Sequence, residues 1–149
     1  MSEPFHLLSY FDDLDETKFE ETSLADPGYN CIAWAANDNS RWWWPDEDSY
    51  WPDSAPREHT FEAFMKAYES LGYKLCLDSS IEQNVEKIAI YGDNTGPLHA
   101  ARQLQDSRWH GEWTSKLGPY EDIRHIDLNC ICGRLYGTVT IYMSRGMAD

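Results

Sequence analysis

Hydrophobic residues in the first half of the chain recur at helical spacing most clearly over residues 60–71. The apolar side chains of this segment fall on one helix face: Phe61, Phe64, Met65, Tyr68 and Leu71. Thr60 is a suitable N-cap because its hydroxyl can accept a hydrogen bond from the first turn, and Gly72 suits the position after the last turn. The pattern predicts a helix that packs its aromatic and Met stripe into the core.

A second, shorter apolar run begins at Cys31, soon after a turn at residues 26–28. Asn30 is a good N-cap, so Cys31 is predicted at the first helical position. The free N–H groups and the helix dipole at that position favour a thiolate and lower the pKa of the thiol. Cys31 is therefore a candidate nucleophile. The alternative is a small buried thiol, because free cysteine is among the most buried residue types.

From residue 73 onward the hydrophobic period shortens toward two, which is typical of β-strands. Five segments are predicted to be strands: residues 73–77, 87–91, 98–104, 112–117 and 137–143. Turn-forming residues at 92–96 and 105–107 separate consecutive strands and favour antiparallel pairing. The order of elements predicts an α+β fold in which N-terminal helices, one carrying Cys31, pack on an antiparallel sheet.

Residues 1–26 are acidic, with apolar side chains scattered among the carboxylates. They are predicted to form an irregular N-terminal arm or a short helix that its aromatic residues pin to the body.

Residues 41–56 are rich in tryptophan and contain Pro45 and Pro52. Proline and the intervening acids exclude a long helix or a central strand, so an ordered loop stapled by aromatic rings is predicted. Rings packed on one another would only stabilise this loop. Exposed rings would instead form a wall of a cleft beside the cysteine helix, which makes four residues candidate substrate-binding residues: Trp34, Trp42, Trp43 and Trp44.

The 149 residues fit a single domain spanning 1–149. Twelve basic and 26 acidic side chains give a formal charge of −14. This charge repels phosphate backbones and anionic lipids, so we expect neither nucleic acid nor a membrane as partner. Solubility alone accounts for such a charge, and the alternative is a basic peptide or protein partner. With no signal-like segment and no apolar run of membrane length, the expected location is the cytoplasm, with all four cysteines reduced.

A nucleophilic cysteine needs a base, and His99 is the best placed of the histidines. It lies on the predicted strand 98–104, where alternation puts the small Ala101 and the polar Gln103 on the same face. A buried structural histidine is the alternative interpretation. The other histidines precede or fall between the predicted elements, and none is expected to be the base: His6, His59, His110 and His125.

Cys130 and Cys132, with His125 and His110 nearby in sequence, supply residue types that bind zinc. The paired C-x-x-C spacing of zinc sites is missing. The sequence therefore predicts no metal site and no cofactor.

Four short blocks together resemble a small family of bacterial proteins. They are NCIAWA at residues 30–35, WWWP at 42–45, LHAA at 98–101 and TSKLG at 114–118. That family is similar to papain-like cysteine peptidases and amidases of the NlpC kind, in which a cysteine at a helix N-terminus faces a histidine on an antiparallel sheet. The resemblance spans about residues 29–143 and implies a papain-like fold.

The resemblance also implies roles for individual residues. Cys31 would be the nucleophile and His99 the general base. The Tyr29 side chain and the Cys31 backbone N–H would help hold the oxyanion. Thr114 or Ser115 would orient the His99 ring, in place of the histidine, aspartate or asparagine that NlpC-like enzymes use.

These roles predict attack of a Cys31 thiolate on an acyl carbon, with His99 protonating the leaving amine. Water as the acceptor would make the protein a peptidase or amidase, and an amine would make it an acyl transferase. The substrate would be a peptide, a protein or another amide. The alternative function is a non-catalytic binding module that holds a peptide, glycan or partner protein in its aromatic cleft.

Overall fold

Strands account for most of the regular structure in the computed structural model, which describes residues 10–15, 17–105 and 110–147. Two short α-helices come early in this part of the chain, α1 (Cys31–Ala35) and α2 (Phe61–Glu69). The seven strands are β1 (Phe19–Glu21), β2 (Lys74–Cys76), β3 (Val85–Asp93), β4 (Gly96–Gln103), β5 (Trp113–Lys116), β6 (Asp122–His125) and β7 (Thr138–Gly146). A short 3₁₀ turn, Asn129–Ile131, follows β6.

All seven strands form one antiparallel sheet in the order β1-β6-β5-β4-β3-β7-β2. The five predicted strands are confirmed, with ends shifted by up to a few residues. The turn between β3 and β4 is also confirmed: the Asp93 carboxylate accepts a hydrogen bond of 2.8 Å from the Thr95 N–H, and Gly96 has a φ of +125° that favours glycine. Residues 106 and 107 of the predicted turn at 105–107 lie outside the described residues.

The predicted papain-like α+β fold, with N-terminal helices packed on a sheet, is wrong. The described chain is mainly a seven-stranded antiparallel sheet with two short helices. The helical part is small because α1 ends after five residues, where Asn37 takes a left-handed conformation with φ 64°. The strand content is larger than predicted because the N-terminal arm contributes β1, which pairs with β6 at one edge.

Two hydrophobic clusters cover the two faces of the sheet. On the first face, which we call the helix face, α1 and α2 pack against Ile88, Ile90, Ala100 and Met143. On the opposite face, which we call the arm face, Phe11, Leu14 and Phe19 of the N-terminal arm share a cluster with Ala89, Tyr91, Ala101, Trp113 and Ile123. Alternation along β3 and β4 thus divides neighbouring residues between the two faces.

Both predicted N-caps are confirmed, since the side chains of Asn30 and Thr60 accept hydrogen bonds from the backbone N–H groups of Ala33 and Ala63. The arm is pinned as predicted, with Phe11 and Phe19 buried. No helix in the described ranges combines the length and apolar character that crossing a membrane requires.

Candidate functional site

Cys31 is the first residue of α1, and the Asn30 side chain fixes this helix start. The Asn30 amide oxygen accepts from the N–H groups of Ala33, at 3.2 Å, and Trp43, at 3.1 Å. Its amide nitrogen donates to the Trp43 carbonyl at 2.7 Å. These bonds tie the cysteine helix to the tryptophan-rich loop and leave Cys31 6% exposed.

The Cys31 thiol does not have the low pKa predicted from its place at a helix start. Burial raises its pKa to about 11. The backbone N–H groups of Ala100, Ile32 and Cys31 itself act in the opposite direction, as does the charge of Lys116, but they do not offset desolvation. Cys31 is therefore a neutral thiol in the resting protein, and any thiolate must form when a base removes its proton.

A buried chain of hydrogen bonds links three strands on the arm face. The His99 Nε2 atom lies 2.9 Å from the Ser115 hydroxyl, which lies 2.8 Å from the His125 Nε2 atom. The His125 Nδ1 atom lies 2.7 Å from the Asp127 carbonyl oxygen. All three side chains, His99, Ser115 and His125, are fully buried. We call these three residues the buried relay.

The Asp127 carbonyl determines where every proton in the buried relay lies. A carbonyl can only accept, so His125 Nδ1 carries a proton and donates it. Burial lowers the pKa of His125 to about 4, so this ring is neutral at pH 7 and its Nε2 must accept from the Ser115 hydroxyl. The Ser115 oxygen then accepts from His99 Nε2–H. Burial lowers the pKa of His99 well below its ordinary value, so Nδ1 of this neutral ring is a bare lone pair.

The His99 ring is held by aromatic contacts as well as by the relay. Tyr136 stacks on it with ring centroids 4.0 Å apart, and Tyr91 meets it edge-on at 5.2 Å. His99 Nδ1 is buried and has no hydrogen-bond partner among the described residues. Cys31 and His99 are thus not hydrogen-bonded to each other in the resting structure.

Helix α1, which begins with Cys31, packs against β4 and β5 where these strands separate. The strands pair at Arg102 with Thr114 and at Gln103 with Trp113, and beyond these pairs the backbone N–H of Ala100 is near enough to Cys31 to lower the pKa of its thiol. This N–H belongs to the peptide bond that directly follows His99. Burial, and after it the nearness of the Cys31 charge, raises the pKa of Tyr136, the residue that covers the His99 ring. The sulfur therefore lies beside the backbone of His99 and within electrostatic range of its aromatic cover.

Lys116 supplies a buried positive charge near the same sulfur. Its Nζ atom donates to the carbonyl oxygens of Asp26, at 2.6 Å, and Gly118, at 2.7 Å, and lies 4.6 Å from the centre of the Tyr29 ring. Burial lowers the pKa of Lys116, but acidic neighbours and Cys31 act in the opposite direction. This cation favours negative charge on the Cys31 sulfur.

Of the two predicted orienting residues, the structure brings Ser115 to His99. Thr114 faces the other side of β5, where its hydroxyl accepts from Trp34 Nε1 at 3.0 Å. The Tyr29 hydroxyl, a predicted oxyanion donor, instead donates to the Asp122 carboxylate at 2.8 Å, and burial raises its pKa to about 12. The Thr114 and Tyr29 hydroxyls, to which the prediction gave roles at the site, are therefore each hydrogen-bonded to another side chain.

The predicted substrate-binding tryptophans have different environments. Trp43 is buried, packs against Tyr50 and donates from Nε1 to Asp38 at 2.9 Å. Trp44 packs against His59 and Phe64. Trp42 and Trp34 are half-buried, and Trp34 lines a cavity of about 350 Å³. Trp43 thus packs against a ring of its own loop, whereas Trp44 packs against α2 and the residue His59 before it.

The family to which this chain belongs follows from its sequence. Residues 20–144 match the model of a domain of unknown function, DUF7689. The chain belongs to the DUF7689 family. No curated protein and no solved structure matches it. The relation of this DUF7689 chain to papain-like or NlpC-type enzymes therefore stays a prediction.

Sequence patterns alone indicate no catalytic role for three residues of this site: His125, Lys116 and Tyr136. His125 was rejected because it fell beside a loop, whereas it ends β6 and pairs with Trp113 of β5. Recognising β6 would have placed Ser115 and His125 on one face, since Ser115 pairs with Ile123 and His125 is two residues further. Lys116 lay within the TSKLG block, and only its burial distinguishes it from a surface lysine.

Within the described part of the DUF7689 chain, no group of three or more His, Cys, Asp or Glu residues could hold a metal ion. All four cysteines are free thiols. The reactive side chains of this site are a thiol, a neutral imidazole and a buried ammonium group.

Proposed function

We propose that this DUF7689 protein performs cysteine-dependent acyl chemistry on an amide or a related acyl bond. Cys31 is the nucleophile and His99 Nδ1 the base. The proposal covers both hydrolysis and acyl transfer, which differ only in whether water or an amine accepts the acyl group.

The observation that carries the proposal is the unpartnered Nδ1 atom of His99. A structural histidine in a core normally has both ring nitrogens satisfied, because a buried polar atom without a partner costs free energy. Here the relay satisfies Nε2 and leaves Nδ1 bare, on the residue next to Ala100, whose backbone N–H lowers the pKa of the Cys31 thiol. A fixed tautomer with an open lone pair is what a general base requires.

The proton and the electron pairs can be followed through one turnover. His99 Nδ1 takes the proton of the Cys31 thiol while the sulfur forms a bond to the acyl carbon. The amine leaves with the proton from His99, which gives a thioester on Cys31. Water then attacks the thioester, transfers one proton back through His99 and releases the acid, which restores the Cys31 thiol.

The buried relay orients the His99 imidazolium that forms in the first step. Protonation of His99 strengthens its Nε2–H bond to Ser115 and polarises the Ser115 hydroxyl toward His125, whose Nδ1–H is held by the Asp127 carbonyl. The neutral hydroxyl orients the ring without the countercharge that a carboxylate supplies in other catalytic triads. Burial and the charge of His125 both lower the pKa of His99, so neither stabilises the imidazolium.

Access to the sulfur requires movement of the Tyr136 cover. Tyr136 stacks on His99 and also lines a cavity of about 240 Å³ with Leu117, Tyr120 and Leu135. Displacement of the Tyr136 ring would join this cavity to the relay. An acyl group entering there would also exclude water, which strengthens the electrostatic contribution of Lys116.

A second candidate function is a non-catalytic binding module. The observation that favours it is the burial of Cys31, which is 6% exposed and has a pKa raised to about 11. In such a module Cys31 would be a packing residue and would not react with acyl donors in the folded protein.

Acetylation by p-nitrophenyl acetate distinguishes the two functions. We expect the folded protein to release p-nitrophenolate and to gain one acetyl group as a hydroxylamine-sensitive thioester, which peptide mass spectrometry maps to Cys31. The Cys31→Ser variant should lose this thioester. Cys76→Ser is the matched control, because Cys76 is a half-buried free thiol on β2, and it should retain the thioester.

Absence of a thioester on Cys31 in the folded protein, or labelling confined to Cys76, would contradict the acyl-transfer proposal and favour the binding module. Circular dichroism of each variant confirms that the comparison is between folded proteins.

A further inference from the structure

A cavity of about 350 Å³ lies on the helix face, whereas the buried relay lies on the arm face. The segment before α1 and strands β4, β5 and β6 form its walls. The rings of Tyr29 and Trp34 supply apolar surface, and Thr114, Asp122 and Arg102 supply polar groups. A volume of this size is in the range that holds small organic ligands.

Arg102 is the unusual group in this cavity. Its guanidinium is half-buried, lies 5.1 Å from the Trp34 ring and donates from Nε to the Trp34 carbonyl at 3.4 Å. Among the described residues this is its only hydrogen bond, and it has no ion pair there. The two terminal amino groups therefore lack a protein acceptor.

Among the described residues these amino groups lack an acceptor, although the chain has 26 acidic and only 12 basic side chains. The acids near Arg102 are already engaged: the Asp122 carboxylate accepts from the Tyr29 hydroxyl at 2.8 Å, and Glu86 pairs with Arg145 at 2.8 Å. Burial lowers the pKa of Arg102, but a guanidinium stays charged at neutral pH. Glu86 and Asp122 favour the Arg102 charge from a distance, but neither pairs with it directly, and a partly buried guanidinium without a directly paired carboxylate is a site that an anion would stabilise.

We propose that this cavity binds a small carboxylate with a planar apolar body. The two oxygens of a carboxylate match the two donors of a guanidinium fork, and the Tyr29 and Trp34 rings would contact the apolar body. A phosphate dianion fits less well, because its second charge would lie near Asp122 without a second free cation. Arg124, which also lines the cavity, is paired with Glu112 at 2.7 Å.

The proposal is independent of the acyl chemistry. It uses the Arg102 guanidinium and the rings of Tyr29 and Trp34, none of which transfers the proton between Cys31 and His99, and it would hold for a catalytic protein and for a binding module alike. Binding is therefore measured without reference to Cys31 reactivity.

Titration of the full chain with sodium benzoate tests the site. In protein labelled with ¹⁵N-arginine, we expect the Nε resonance of Arg102 to shift saturably. Arg102→Gln should weaken benzoate binding, measured by calorimetry, about 10- to 100-fold, the loss of a charge-assisted pair of hydrogen bonds. Arg41→Gln is the matched control, because Arg41 is exposed, pairs with Asp38 at 3.0 Å and does not line the cavity. This variant should bind benzoate with the affinity of the wild type.

Two further ligands make the test specific. Benzamide has the shape of benzoate without its charge and should bind at least about 10-fold more weakly, and inorganic phosphate should not compete at equal concentration. Absence of saturable benzoate binding, equal affinity for benzamide, or preferential binding of phosphate would each overturn the proposal. If Arg102→Gln fails to fold, Arg102→Lys, which keeps the charge and loses the fork, should show weakened binding, and unchanged binding would overturn the role of Arg102.

Discussion

Replacing His99 with glutamine is expected to slow acylation of Cys31 by about 10²- to 10⁴-fold, the usual contribution of a positioned general base. Glutamine retains an N–H donor near the Nε2 position, so the bond to Ser115 can persist. It has no basic atom at the Nδ1 position. The Cys31 thiol, with a pKa raised to about 11, would then have no group to remove its proton at neutral pH. The measurement is the rate of p-nitrophenolate release, with the Cys31 thioester quantified by mass spectrometry.

His110→Gln is the matched control for this substitution, because His110 is exposed in a turn outside the buried relay. Its acylation rate should equal that of the wild type. An unchanged rate in His99→Gln, in a protein whose circular dichroism is native, would show that His99 is a structural residue.

Replacing Ser115 with alanine is expected to lower the free energy of unfolding by about 2–6 kcal/mol. The substitution removes one hydroxyl but leaves two buried groups without a partner, the Nε2–H of His99 and the Nε2 lone pair of His125. Each such group costs its desolvation free energy, about 1–3 kcal/mol. Urea unfolding at pH 7 measures the change.

Ser144→Ala is the control for loss of a serine hydroxyl from a strand, since Ser144 is half-buried on β7, outside the relay. We expect it to change stability by less than about 1 kcal/mol, as substitutions away from special features usually do. Equal effects of the two substitutions would mean that the Ser115 hydroxyl does not link the two histidines.

Local chemistry in the sequence predicts much of the sheet and both helix starts. Asn30 and Thr60 cap the two helices because capping depends on adjacent residues alone. Strand alternation also places His99 on one face with Ala101. Strands β1 and β6 escaped prediction, although they are no shorter than β2 and β5, which were predicted. Their existence depends on pairing between residues about a hundred positions apart, such as Phe19 with His125.

The candidate site could be predicted only in part, for a related reason. Cys31, His99 and Ser115 were named from the sequence, but the relay depends on His125, which reaches Ser115 only through the register of β5 and β6. The direction of the Cys31 pKa shift was also predicted wrongly. A helix start is a local feature, whereas burial, the larger cause, arises from the whole fold.

The central claim is that the buried relay keeps Nδ1 of His99 unprotonated and able to act as a base. The most direct test of this claim is the protonation state of the His99 imidazole. Nitrogen-15 NMR of histidine-labelled protein, assigned with His99→Gln, reports which ring nitrogen carries the proton. We expect Nε2 protonated and Nδ1 unprotonated at pH 7. This neutral state should persist as the pH falls through 6.5, because burial lowers the pKa of His99 well below its ordinary value. A proton on Nδ1 at pH 7, or an imidazolium that titrates near pH 6.5, would contradict the claim.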